Sequence, residues 1–429
     1  MMSSSMPIRQ KSRFLDKLMF VVPIFMLGRV QEIFPVLWPF RLVLLTTVML
    51  IITTALNRGL SRPRLALFWS SKTFGWFAAM VALMFLSVLT SIYPSQSLNA
   101  VKEFVLYFGI LLLALNCQVD RRDDFKFGLS GIVLTIFIMG IICFVSPRYV
   151  EGTRVAANWS YDPNDTALFF IMVLALILPS AKHVRRLHRW FLYLLAVMGV
   201  GVVILTQSRG GFVAGIVAIT AWGLSKGVKG VFRLCLMGAL GVTLILAVVP
   251  AEQLQRFTSI GNLESDYNMT ARGGRLDIWK NGLAVFMENP ILGTGVDTFR
   301  VAEGLANAGG KWSEAHNSFL EIAVELGLPG IIVFLGMLLS AYKMAKPTDE
   351  ADWFGRGIRL SLISYFAGGM FLSWGYHIVL YFVLSLAMIR ERVLAMEGAP
   401  VQMLPKEAAS IKDGSALTGR KRYNMRAPK

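Results

Sequence analysis

The sequence predicts an all-α polytopic membrane protein of about twelve transmembrane helices with one large external loop. Three observations lead there. Hydrophobic residues make up 55% of the 429 residues and charged residues only 16%, outside the range of soluble globular domains. Apolar runs near the length that crosses a bilayer recur along most of the chain, and in lipid such runs must satisfy their backbone as helices. The formal charge of +17 is gathered in turns between alternate runs, which is a positive-inside pattern rather than a nucleic-acid surface.

The spans fall at 18–36, 41–57, 73–92, 101–117, 128–146, 165–181, 190–206, 211–225, 231–250, 317–341, 357–374 and 376–390. Basic clusters from Arg9 to Lys17, Arg58 to Lys72, Arg121 to Lys126, Lys182 to Arg189, Lys226 to Arg233 and Lys343 to Arg359 alternate with them. These clusters, with the basic tail after Ile389, put both termini in the cytoplasm. The expected organisation is a cytoplasmic N-terminus over 1–17 and a bundle of about nine spans over 18–250, then an external loop over 251–316, further spans over 317–390, and a basic, disordered tail over 391–429. Arg29, Gln31 and Glu32 interrupt the first span, so the first two spans either cross or form a short re-entrant hairpin. The basic-then-apolar start resembles a signal sequence, but no small-x-small site follows and it reads as a retained anchor. Cys117, Cys143 and Cys235 sit in or beside apolar runs without metal or disulfide spacing, and read as small core residues.

The external loop carries the chemistry-bearing residues. Leu276, Trp279, Leu283 and Phe286 recur at helical spacing and Pro290 follows, which predicts a short amphipathic helix on the membrane surface or on the bundle. Arg272, Arg275 and Trp279 are three and four residues apart and share a face of it. Two readings stand open for the arginines: contact with lipid headgroups, or a clamp on phosphate oxygens that guanidinium forks match bidentately. Arg209 lies in the turn Gln207-Ser208-Arg209-Gly210-Gly211, where the glycines allow close backbone approach. An arginine on the side that disfavours it needs a reason, and a bound anion is one.

His316 precedes Asn317, and Ser318-Phe319-Leu320-Glu321 fits a capping box opening the next span. The positive end of that helix favours a neutral imidazole able to take a proton. The other reading of His316 is a polar cap. His377, near another short external turn, is placed to line the same cavity. Asp162-Pro163-Asn164-Asp165, with Arg154 upstream, reads as a turn and helix start capped by aspartate or asparagine; its place on the same external face also allows a second reading, recognition of sugar hydroxyls. There is no GxxxxGK[ST] loop, HExxH helix or Asp-x-Asp pair, so no metal-ligand set is predicted. The spans are nearly free of midplane charge, unlike most secondary transporters.

The Ser208-Arg209-Gly210-Gly211 turn, the Arg272, Arg275, Trp279, Pro290, Gly293, Gly295 and Phe299 series, and the entry His316-Asn317 with Glu321, Glu325, Gly327 and Gly330 together resemble the O-antigen ligase and polymerase superfamily of bacterial envelope biogenesis. Asp162-Pro163-Asn164 is similar to a motif in that group. The resemblance implies a GT-C-like bundle under a large periplasmic loop, in the bacterial inner membrane. It implies metal-independent, cofactor-free, inverting transfer of glycan from undecaprenyl pyrophosphate to an acceptor hydroxyl. Arg209 and Arg275, with Arg272 beside them, would hold the pyrophosphate, and His316 would be the general base or would orient the acceptor. Arg154, Asp162, Asn164, Trp279 and Asn317 would contact substrate. The acceptor would be lipid A core, a protein or another lipid-linked repeat, and a single dominant loop leans towards the ligase. The competing class is a non-enzymatic polysaccharide or lipid transporter.

Overall fold

The structure, a computed structural model, describes residues 13–56, 62–119, 125–150, 152–230, 232, 274–307 and 312–396. It is mostly helical. The elements are α1 Arg13–Val22, α2 Leu42–Leu56, α3 Arg62–Trp69, α4 Lys72–Thr90, α5 Pro94–Phe104, α6 Ile110–Gln118, α7 Phe125–Val145, β1 Arg148–Val150, β2 Arg154–Ala156, α8 Pro163–Ile177, α9 Arg186–Thr206, α10 Arg209–Leu224, α11 Arg275–Glu288, α12 Phe299–Ala306, α13 Ser318–Met344, α14 Trp353–Gly368 and α15 Ile378–Met396.

Seven segments among the described residues are long and apolar enough to cross a membrane: Pro35–Leu56, Lys72–Thr90, Pro94–Cys117, Gly128–Val145, Pro163–His183, Arg186–Thr206 and Ser318–Met344. The expected spans 18–36 and 211–225 correspond to shorter apolar helices, Lys17–Leu27 and Arg209–Leu224. The last two expected spans correspond to α14, of 16 residues, and to α15, which carries Arg390, Glu391 and Arg392. Span 231–250, residues 1–12, most of the loop before Gly274, and the tail beyond Met396 lie outside the described residues.

The first span is not a full crossing helix. After α1 the chain passes through a π-turn at Pro23–Leu27, turns left-handed at Arg29 (φ 45°), and continues in two 3-10 turns before α2. The polar residues read as interruptions are therefore the break itself, and Arg29 closes it by pairing with Glu32 at 3.1 Å.

Helix α8 is the centre of the bundle. Asp162 caps it through a capping box with Asp165, and Pro163 occupies its first turn, where a missing N–H costs nothing. Its span is 67% buried against protein, compared with 22% for Pro35–Leu56 at the periphery. It packs chiefly against α14, α9 and α10. The approach is close because glycines face it: a Cβ on Gly368 would meet Leu168 at 2.4 Å, and one on Gly357 would meet the Leu176 carbonyl oxygen at 2.2 Å.

Helix α13 is broken at Gly327 (φ 69°), two residues before Pro329. The segment after α11 seats in the break. Thr294 and Gly295 amides donate to Val324 O and Glu325 O at 2.9 and 3.0 Å, and the Leu328 amide donates to Pro290 O at 2.7 Å. Backbone groups freed by the break are thus re-satisfied from outside the helix, as a membrane helix requires. The described part of 251–316 is in this way tied to the bundle.

The helix over Arg275–Glu288 forms as its spacing predicts, but its buried face is offset. Ile278, Gly282 and Val285 are buried, while Leu276 and Leu283 are exposed. The face that touches the bundle passes between the apolar positions first counted, with Trp279 and Phe286 on its flanks.

Candidate functional site

A cavity of about 460 Å³ opens at one end of the bundle. Its walls come from segments far apart in sequence: strand β1, the loop between β2 and α8, the start of α8, the loop before α13, and the turn between α14 and α15. Asp162, Asp165, Glu314, His316, Ser373, Trp374 and His377 line it, with Arg148, Trp159 and Ser160 on the side of the β1–β2 hairpin.

His316 is held in a left-handed backbone conformation (φ 46°), which costs a non-glycine residue of order 1–3 kcal/mol. Contacts on both sides compel it. Its amide donates to Ser373 Oγ at 2.9 Å, and the preceding Ala315 carbonyl accepts from Trp279 Nε1 at 2.9 Å. The next residue starts α13. The expected Ser318–Glu321 capping box does not form. Asn317 is the N-cap, accepting from the Phe319 and Leu320 amides at 3.0 and 3.2 Å. Ser318 Oγ is drawn away to bond Leu372 O and the Trp374 amide, and Glu321 Oε2 accepts from the Gly375 amide at 3.0 Å. A long-range partner displaces the local cap because both polar side chains are needed to anchor the 369–377 turn, whose Gly369 O also accepts from the Ser318 amide at 2.7 Å.

That turn brings a second histidine to the cavity. His377 stacks on Trp374 with centroids 3.8 Å apart and planes 9° from parallel, and Tyr161 meets it edge-on at 5.4 Å. Trp374 Nε1 in turn donates to Asp165 Oδ1 at 2.7 Å. Burial, with the nearby Arg29 charge adding to it, pushes the His377 imidazole down to about 3, so it is neutral at physiological pH. Its Nδ1 accepts from the Val379 amide at 3.4 Å, which assigns the proton to Nε2.

The arginines stand around the cavity rather than in its lining. Arg154, buried, donates through Nε to Thr206 O at 3.1 Å and through a terminal nitrogen to Asn164 Oδ1 at 2.8 Å. It therefore ties the hairpin to the end of α9 and the start of α8. Arg209 is the first residue of α10, after the Ser208 cap, and lies close enough to Arg154 for the two like charges to interact. Arg275 is the first residue of α11, one turn before the Trp279 that bonds residue 315. Arg272 lies outside the described residues.

Of the residues singled out in the sequence, His316, His377 and Asp162 meet in the cavity. Asn164, Arg154 and Arg209 lie behind it, while Asn317 and Trp279 hold the His316 segment. Sequence reading gave no weight to Trp159, Glu314, Ser373 and Trp374, or to Asp165 as a partner of Trp374. The signal for the 369–377 turn was its Gly-Ser-Trp-Gly-Tyr-His composition between two apolar runs.

The basic turns gather at the other end. Arg390 pairs with Asp352 and donates to Met344 O and Lys346 O, Arg392 donates to Val119 O, and Lys226 neighbours Arg356 and Lys182. Site and basic clusters therefore occupy opposite ends of the bundle.

The fold and site define a polytopic membrane protein with a polar pocket at one end, and known proteins narrow the class. Residues 193–335, from α9 to the second half of α13, match the family described as O-Antigen ligase. The chain is 26% identical over 307 residues to a Rickettsia felis protein named "Putative polysaccharide ligase", covering 67% of this chain and 72% of that one. It is 26% identical over 288 residues to a Rickettsia conorii protein of the same description, covering 63% and 67%. The resemblance to the O-antigen ligase superfamily is thereby shown. The likeness is to that family over this stretch, and Arg209, Arg275 and His316 all fall in it.

Proposed function

We propose that the protein transfers a glycan from undecaprenyl pyrophosphate to an acceptor hydroxyl at the periplasmic face of the inner membrane. The observation that carries this is the convergence of His316 with Asp162 and Glu314 in one cavity, while Arg209 begins the helix whose Gly210 packs on Phe371, next to Leu372 of the lining, and Arg275 begins the helix whose Trp279 bonds Ala315, next to His316. His316 accepts the proton of the acceptor O–H. The freed oxygen attacks the anomeric carbon, and the bond from that carbon to the pyrophosphate oxygen breaks with inversion. Undecaprenyl pyrophosphate leaves with the electron pair, its charge met by Arg209 and Arg275, with Arg272 their neighbour in sequence. Helix N-termini and guanidinium groups stabilise such an anion without reorganising, and no metal or cofactor enters the reaction. The left-handed backbone at His316 fits a residue whose position matters more than its local comfort.

A ligase attaches the glycan to lipid A core or a protein, and a polymerase to another lipid-linked repeat. In a deletion strain, full-length chains retained on carrier lipid identify a ligase and single repeats a polymerase. Catalysis itself is tested with the purified protein in lipid nanodiscs, a lipid-linked donor and its acceptor. His316→Ala is expected to lower kcat by about 10²–10⁴, and Arg275→Ala to weaken donor use. Transfer at the wild-type rate in both variants would overturn the assignment in favour of a transporter.

A further inference from the structure

We propose that the cavity is a subsite for a non-phosphorylated sugar ring of the acceptor, and that Trp159 is the platform on which this ring lies. The inference rests on the reading above that the site transfers glycan. Trp159 is 63% exposed and lines the cavity, yet it does not sit on a loose loop tip. Asn158 Oδ1 accepts from the Ser160 and Tyr161 amides at 3.1 and 2.9 Å, and its Nδ2 donates to Gly28 O at 2.9 Å. Tyr161 OH donates to Leu27 O, and Glu32 takes both the amide and the hydroxyl of Ser160 at 2.8 and 2.7 Å. The break in the first span thus supplies a rigid brace for Trp159.

One face of the indole is taken by Arg148, whose guanidinium carbon lies 4.4 Å from the ring centroid and which is fixed by a 3.0 Å bond to Asn158 O. Among the described residues no other ring or cation stacks on the indole, which leaves its second face for a ligand. A large, rigid aromatic surface suits the C–H face of a sugar, which needs area and little entropy loss. A volume of about 460 Å³ lies in the range of small-ligand pockets, about 300–1,000 Å³, and suits a sugar unit rather than a chain.

The polar groups select among sugars. Two carboxylates, Asp162 and Glu314, face the one guanidinium in the lining, Arg148, which already lies over Trp159, while Arg29 behind Ser160 is paired with Glu32. Asp162 and Asp165 use part of their acceptor capacity on each other's amides, and a carboxylate has about four lone-pair sites in all. The remainder accepts from sugar hydroxyls or an ammonium, while a phosphate is repelled. Nε2–H of neutral His377 adds one donor. Arg154, Arg209 and Arg275 stay outside this lining, so the diphosphate and the acceptor ring are drawn to different places.

Saturation-transfer NMR on the full chain in lipid nanodiscs, with glucose, glucosamine and glucose 6-phosphate as probes, tests this without any transfer reaction. Glucose and glucosamine are expected to bind, and glucose 6-phosphate at least tenfold more weakly. Trp159→Ala should lose at least tenfold in affinity, Trp159→Phe should retain part of it, and Asp162→Asn with Glu314→Gln should erase the discrimination against phosphate. Because no donor is present, sugar binding is read apart from transfer, so a failure of the catalytic reading and a failure of this one are told apart. If Trp159 is only an interfacial anchor, Trp159→Ala and Trp159→Phe lower thermal stability and leave sugar binding intact. That result, equal binding of glucose 6-phosphate, or no binding by the wild type overturns the proposal.

Discussion

Replacing Gly211 with alanine tests whether close packing of α10 on α8 sets the position of Arg209. A Cβ built at Gly211 lies 2.4 Å from Ala167 Cβ and 3.5 Å from its Cα, and Ala167 is fully buried on the central helix. Ordinary carbon–carbon contact is about 3.5–4.0 Å, so the first turn of α10 must back away by about 1 Å. It has little room on its other flank, where even a Cβ built at Gly210 would lie 2.8 Å from Phe371 Cβ. Overpacking of this kind costs about 1–3 kcal/mol. The helix propensity gained on leaving glycine returns about 1 kcal/mol, so stability falls only modestly. Position is not compensated in this way: Arg209 belongs to the same turn, and a misplacement of about 1 Å is worth about 10²-fold in rate. In nanodiscs with a lipid-linked donor, kcat/KM should fall about 10- to 100-fold while the melting temperature moves by a few degrees. Gly215, one turn along, meets only the flexible Ile171 Cδ1 at 3.1 Å, and Gly215→Ala should be close to neutral in both assays. Wild-type kcat/KM in Gly211→Ala, or equal damage from Gly215→Ala, would refute the reasoning.

Two further predictions concern stability. Asp352→Ala removes the carboxylate that pairs with buried Arg390 and caps α14 through the Gly355 amide, and stranding a buried charge costs about 3–5 kcal/mol. Thermal unfolding should show that loss while transfer per folded molecule is unchanged, since the pair lies at the end away from the cavity. The His377 imidazole is held near 3 when folded and titrates at about 6.5 when unfolded, so the unfolded state binds the extra proton as pH falls. Stability is therefore full above about pH 6.5 and declines towards pH 3, by about 1–2 kcal/mol at pH 5. His377→Asn should flatten that part of the unfolding profile, and an unchanged profile in the variant would place the titration elsewhere.

The elements most legible in the sequence were those that depend on one window of residues. The N-cap in the Asp162-Pro163-Asn164 turn, the helix from Arg275 stopped before Pro290, and the interruption at Arg29 all formed, because each is decided by neighbours within about one turn. Ser318 and Glu321 had the same local signature as Asp162 and Asp165 but did not cap their own helix. The 369–377 turn offered them better partners, an outcome no window contains. The face of α11 was misjudged for a related reason. Leu276 and Leu283 are as apolar as Ile278 and Val285, and only the position of α13 decides which pair is covered.

Sequence alone determined that the chain lies in a membrane, where its basic turns fall, and that Arg209, Arg275 and His316 carry the resemblance to O-antigen ligases. Hydropathy, charge and short motifs are properties of contiguous residues, and the energies they represent do not depend on what packs nearby. Tertiary structure decided that Trp374 and His377 would stand opposite His316. It also decided that the break in the first span would brace Trp159 and that Gly211 would seat Arg209 against α8. Those outcomes rest on contacts of a few ångströms between segments well separated in sequence, and such contacts exist only once the helices have packed.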